Sequence, residues 1–167
     1  CDDRYKRPIV TRRFDSSWDM YDMHLYPGGA WRLHMLRTML GDAVFWPAIT
    51  DYLRTYGRSV VETDDFRRLL ERHSGRSLGR FFDQWLRSPG FPELHAELSW
   101  DAEKREATLV VEQKQVDEKA GIPCFDLELD VLFVVGDEET RRTLAFASNR
   151  SVLTVPLRDS PTDVVLD

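Results

Sequence analysis

Ser88-Pro89-Gly90-Phe91-Pro92-Glu93-Leu94-His95-Ala96-Glu97-Leu98-Ser99-Trp100 is the stretch on which the fold turns. Serine, proline and glycine in succession stop a helix. After Pro92 the apolar residues Leu94, Ala96, Leu98 and Trp100 alternate with His95, Glu97 and Ser99. That period of two belongs to a half-buried strand, whereas the apolar spacing before Ser88 is close to 3.6. The chain therefore reads as α+β: about four helices, then an antiparallel β-sandwich. The expected units are a helical one over residues 1–90 and a sandwich over residues 93–167.

Upstream, Leu33, Leu36 and Leu40 fall at i, i+3, i+7, and Gly41 sits where a helix end favours positive φ. Phe45, Ile49, Tyr52, Leu53 and Tyr56 form a second stripe that ends at Gly57. Asp42 is the expected cap, with Pro47 near the helix start, because a deeper proline removes a backbone hydrogen bond. Thr63 followed by Asp64 and Asp65 marks a third helix, a capping hydroxyl before two carboxylates at the positive end of the helix dipole. Ser77 is the expected cap of a fourth, with Leu78, Phe81, Phe82, Trp85 and Leu86 on one stripe.

Downstream, Phe125, Leu127, Leu129, Val131, Phe133 and Val135 alternate with Asp126, Glu128 and Asp130. Shorter strands are expected over 107–115, 142–147, 151–157 and 163–166. Turn residues lie at 101–105, 121–123, 136–137 and 148–149. Short strands separated by turns predict a sandwich.

The 167 residues are 42% hydrophobic and 11% aromatic, enough to build a core and too apolar for intrinsic disorder. No apolar run approaches the roughly 20 residues of a membrane span. Residues 1–93 carry a net charge of +2 and residues 94–167 one of −8, a split that falls at the same boundary. Nucleic acid is not the expected partner, since phosphate binding wants a concentrated basic surface. Cys1 and Cys124 stand alone, without a CxxC, and read as free thiols. A start at Cys1 suggests a piece of a longer protein.

Chemistry-bearing motifs are scarce. No His-Glu-x-x-His, G-x-S-x-G or P-loop is present, and none of His24, His34, His73 and His95 pairs with another at i, i+4. No metal site is expected within the chain. Asp22 and His24, two apart, fit only a loop site, and His34 and His73 read as half-buried helix residues. Gly28-Gly29 offers backbone amides to an anion, or simply a tight turn into a helix. Tyr26 precedes Pro27-Gly28-Gly29-Ala30 at the mouth of a helix. From the residues alone it reads as a packing aromatic. Trp100, in phase with Leu94 and Leu98, reads as core rather than as a ligand platform.

An ordered series of segments goes further. Tyr26-Pro27-Gly28-Gly29-Ala30 is followed by Leu33-His34-Met35-Leu36-Arg37 and by Leu40-Gly41-Asp42-Ala43-Val44-Phe45. Tyr52, Tyr56, Val61-Glu62-Thr63-Asp64-Asp65-Phe66, Phe81-Phe82-Asp83-Gln84-Trp85 and Pro89-Gly90-Phe91-Pro92 come next, then Leu109-Val110-Val111-Glu112-Gln113-Lys114-Gln115. This series resembles the aminopeptidase N family of zinc metallopeptidases, gluzincins with a thermolysin-like catalytic domain. The resemblance implies a fragment: the rear helical part of the catalytic domain over residues 1–90 and the following β-sandwich. It implies zinc as the cofactor of the parent protein, held by ligands upstream of this chain. It also implies a peptide substrate, and the remaining segments of the catalytic domain as partners. On that resemblance Tyr26 is the catalytic phenol that stabilises the tetrahedral intermediate, and this chain alone is inactive. The family usually reads Tyr-x-Lys-Gly-Ala, and Gly28 stands here in place of the lysine. The alternative implied by the same architecture is a non-catalytic scaffold or interaction module that lacks the zinc site.

Overall fold

The computed structural model describes residues 6–167, and the chain divides into two compact units, Cys1–Gly90 and Phe91–Asp167. The fold is α+β: among the described residues four α-helices precede six strands. Cys1 lies outside the described residues, so its expected free thiol does too; Cys124 is free and exposed.

The helical unit is built from α1 (Tyr26–Leu40), α2 (Asp42–Tyr56), α3 (Thr63–Ser74) and α4 (Gly79–Phe82), the last continuing as a π-helical turn through Asp83–Arg87. Leu36, Phe45, Ala48, Leu69, Leu70, Leu78 and Phe82 form its core. A run of ring contacts lines this core, from Tyr52 to Phe66 at 5.0 Å and from Phe66 to Phe82 at 6.2 Å. Gly41 separates α1 from α2 in one residue. At φ +76 it donates to the Arg37 carbonyl and accepts from the Phe45 N–H, a conformation that favours glycine.

The helix starts differ from the expected ones. Asp42 is the first residue of α2 rather than its cap, and its carboxylate takes the Arg37 guanidinium at 2.6 and 2.9 Å. Pro47 lies in the second turn of α2, deeper than expected. At α3 the cap is Glu62, not Thr63: Glu62 and Asp65 exchange side-chain-to-backbone hydrogen bonds in a capping box. At α4 the expected Ser77 cap is replaced by Glu71, whose carboxylate accepts the Leu78 N–H at 2.8 Å and also pairs with Arg67. Leu33 and Leu53, placed by their spacing on apolar stripes, are exposed.

The second unit is a sandwich of two three-stranded antiparallel sheets. One has the order β1 (Leu94–Asp101), β2 (Glu106–Gln113), β5 (Arg150–Pro156). The other has the order β4 (Glu138–Ala145), β3 (Glu128–Val135), β6 (Asp163–Leu166). Ala107, Leu109 and Val111 of one sheet meet Val131, Phe133 and Val135 of the other in a common core. The period of two is therefore satisfied in β2 and β3. It is only partly satisfied in β1, an edge strand: Trp100 packs against the core, whereas Leu94 and Leu98 stay exposed. Phe125 is buried but precedes β3 in a loop rather than opening the strand. That loop is stitched to β2 by a buried amide. Gln113 Nε2 donates to the Phe125 carbonyl at 2.7 Å, and its Oε1 accepts from the Phe125 N–H at 2.8 Å. Gln115 donates to Gln113 Oε1 at 2.7 Å and accepts from the Glu93 N–H at 2.9 Å.

Candidate functional site

Tyr26 opens α1 and is 65% exposed, so it does not pack in the core as the residues alone suggested. Its ring stands 6.1 Å from that of Tyr21, which is 5.5 Å from Trp18. Trp18, Tyr21, Met23 and Trp31 are also exposed, so the start of α1 lies in a broad apolar surface. Pro27, Ala30, Trp31 and His34, one face of α1, line an open hollow of about 440 Å³.

The backbone entering α1 is tied down on several sides. Asp22 Oδ1 accepts the Leu25 N–H at 2.8 Å, and its Oδ2 takes Arg7 Nη2 at 2.9 Å. The Gly28 N–H donates to the Met23 carbonyl and the Gly29 N–H to the Leu25 carbonyl. Both glycine amides are thus used by the turn, and the anion reading of Gly28-Gly29 fails. Arg32 reaches back from α1, with Nη1 on the Gly28 carbonyl at 3.0 Å and Nε on the Trp85 carbonyl at 3.1 Å. A Cβ on Gly28 would stand 3.0 Å from Arg32 Nη1 and 3.5 Å from His24 Nδ1. The absent side chain at this position is therefore the space that Arg32 and His24 occupy.

His24 is buried, and its Nε2 has no hydrogen-bond partner among the described residues. Burial first, then the charges of Arg32 and Arg7, push its pKa below the ordinary 6.5. Asp22 is held below the usual carboxylate range: burial raises it, but the Leu25 N–H and the Arg7 guanidinium outweigh that. His34 is exposed on α1 rather than half-buried, whereas the His73 side chain on α3 is partly covered and its Nε2 meets Asp51 at 2.9 Å.

Among the described residues no group of three or more His, Cys, Asp or Glu side chains is placed to hold a metal ion. Asp22 is instead used by the turn into α1 and by Arg7. No helix among the described residues is long and apolar enough to cross a membrane. Sequence reading singled out Asp22 as a possible ligand and missed Arg7 and Arg32. The available signal was Asp22 itself, a capping residue type three positions before Leu25.

Residues 3–85 match the model of the Peptidase family M1 domain. Aminopeptidase N of Lactococcus lactis subsp. lactis is 33% identical over 91 residues, which is 54% of this chain and 10% of that protein. Aminopeptidase M1-B of Oryza sativa subsp. japonica is 30% identical over 79 residues, 47% of this chain and 9% of that protein. The chain thus spans about a tenth of the length of these relatives. Among solved structures, Legionella pneumophila aminopeptidase A in complex with aspartic acid superposes on 96% of this chain and 18% of its own, with a TM-score of 0.73 and 15% identity. That likeness is one of fold, and it extends over the sandwich, beyond the matched residues 3–85.

Proposed function

We propose that this chain, whose residues 3–85 belong to peptidase family M1, is part of a zinc-dependent aminopeptidase that removes N-terminal residues from peptides. The helical unit is the rear of the catalytic domain, and the sandwich is a structural domain that follows it in the chain. The zinc ligands belong to segments outside residues 6–167, and the exposed Trp18, Tyr21, Met23 and Trp31 are the surface those segments cover.

The observation that carries this reading is the presentation of Tyr26. Its ring is outside the core, on a helix start whose backbone is fixed by Asp22 and Arg32. A phenol so placed donates its O–H to the oxyanion of a tetrahedral intermediate. The donor is worth more there than against the neutral carbonyl of the substrate, because the negative charge exists only after attack. Removing one such donor costs about 10²–10³ in rate.

In the full-length protein, Tyr26→Phe is expected to lower kcat at least about a hundredfold with zinc content unchanged. The purified 167-residue chain is expected to release nothing from an aminoacyl p-nitroanilide, with or without zinc. A near-normal rate for Tyr26→Phe refutes the role of Tyr26, and zinc-dependent release by the chain alone refutes the placement of the ligands elsewhere.

A further inference from the structure

We infer that Asp22, clamped by Arg7, is a positioning residue for Tyr26; the inference rests on the catalytic role proposed for that tyrosine. The two carboxylate oxygens of Asp22 do different work. Oδ1 takes the Leu25 N–H, on the residue immediately before Tyr26, at 2.8 Å. This amide lies at the helix start, where no carbonyl of the preceding turn is available to it. Oδ2 takes Arg7 Nη2 at 2.9 Å, and Arg7 Nη1 is itself fixed on the Pro8 carbonyl at 3.0 Å.

Arg7 belongs to a strap whose two ends are tied to the last residues of the helical unit. The Val10 N–H donates to the Leu86 carbonyl at 2.8 Å, and the Lys6 carbonyl accepts the Gly90 N–H at 2.7 Å. The Arg7 and Asp22 side chains are only 23% and 24% exposed, so solvent screens this pair less than a surface ion pair. A continuous path therefore runs from the strap through Arg7, Asp22 and Leu25 to Tyr26. Apart from the Tyr21 ring at 6.1 Å, the exposed Tyr26 ring has no ring partner among the described residues, so its position follows the backbone at residues 22–26. Misplacement of a reacting group by about 1 Å costs up to 10²-fold in rate.

The test uses the full-length zinc-loaded protein with an aminoacyl p-nitroanilide. Asp22→Ala is expected to lower kcat about tenfold or more while KM stays within about twofold and zinc content is unchanged. Asp22→Asn keeps an acceptor for the Leu25 N–H and is expected to recover most of that loss. In a Tyr26→Phe background, adding Asp22→Ala is expected to cost less than about twofold, because its effect passes through the phenol. Hydrogen exchange is expected to quicken in the peptide spanning residues 25–29 of Asp22→Ala. A full tenfold loss in the Tyr26→Phe background overturns the positioning role, as does unchanged exchange or a normal kcat in Asp22→Ala. If Asp22→Ala fails to fold, Arg7→Met carries the test: an intermediate kcat loss that vanishes in the Tyr26→Phe background supports the role, and a normal kcat overturns it. A near-normal rate for Tyr26→Phe alone overturns the underlying reading instead.

Discussion

Burial, and after it the charges of Arg32 and Arg7, disfavour the charged form of His24, and that gives the helical unit a pH dependence. It is buried beside Arg7 of the strap, Arg32 of α1 and Asp22, and its pKa lies below 6.5. The unfolded chain binds a proton near 6.5, and the native chain does so only at lower pH. Stability is therefore unaffected well above 6.5 and falls as pH drops from there toward the folded-state pKa. His24→Met removes the titration and fills the same space with an uncharged side chain. The urea midpoint of the parent is expected to fall between pH 7 and pH 5 by more than that of His24→Met; equal falls would refute the assignment. The sequence showed His24 only as an isolated histidine without a helical ligand partner. Its burial was hidden because the groups around it, Arg7 and Arg32, are distant in sequence or on another turn. Gly28 is a second residue of this kind: only the structure shows that Arg32 Nη1 stands 3.0 Å from where its side chain would begin.

At the scale of elements, the helix interiors and ends were legible, and the starts were not. Gly41 and Gly75 end α1 and α3 at φ +76 and +66, as a glycine after an apolar stripe implies. The starts use longer side chains than expected: Glu62 and Asp65 at α3, and Glu71, reaching seven residues along the chain to Leu78, at α4. A hydroxyl cap is recognised by its position beside the helix, whereas a glutamate that caps another helix has no local signature. The Leu78 N–H, more than Arg67, holds the Glu71 pKa below its ordinary value. In the sandwich the missed feature was in plain phase. Ala107, Leu109, Val111 and Gln113 share one face of β2, and that face is buried. A glutamine on the buried phase must find partners, and Gln113 finds both backbone groups of Phe125. Gln113→Met keeps the volume and leaves that N–H and C=O without partners. It is expected to destabilise the sandwich by about 2–4 kcal/mol in urea unfolding, since each orphaned buried group costs on the order of 1–3 kcal/mol. A change under about 0.5 kcal/mol would show that the amide ladder does not hold the loop.

Across the whole molecule, the break in period at Pro92 and the change in charge both coincide with a division of the core. Every buried side chain of the helical cluster lies between Leu36 and Phe82, and every one of the sandwich cluster between Ala107 and Leu157. Each unit thus has its own apolar interior, and a cavity made in one removes contacts only there. Phe82, fully buried, touches Phe66 and Phe81 in the ring series that joins α3 to α4. Phe133, also fully buried, sits at the centre of β3 in the sandwich core. Truncating either to alanine is expected to cost about 3–5 kcal/mol. Native-state hydrogen exchange reads where the cost falls. Phe82→Ala is expected to lower protection over residues 26–87 and leave β1–β6 near the parent, and Phe133→Ala to do the reverse. A uniform loss of protection across both units in either variant would mean that the chain unfolds as one cooperative body, and that the boundary written in its sequence is one of composition alone.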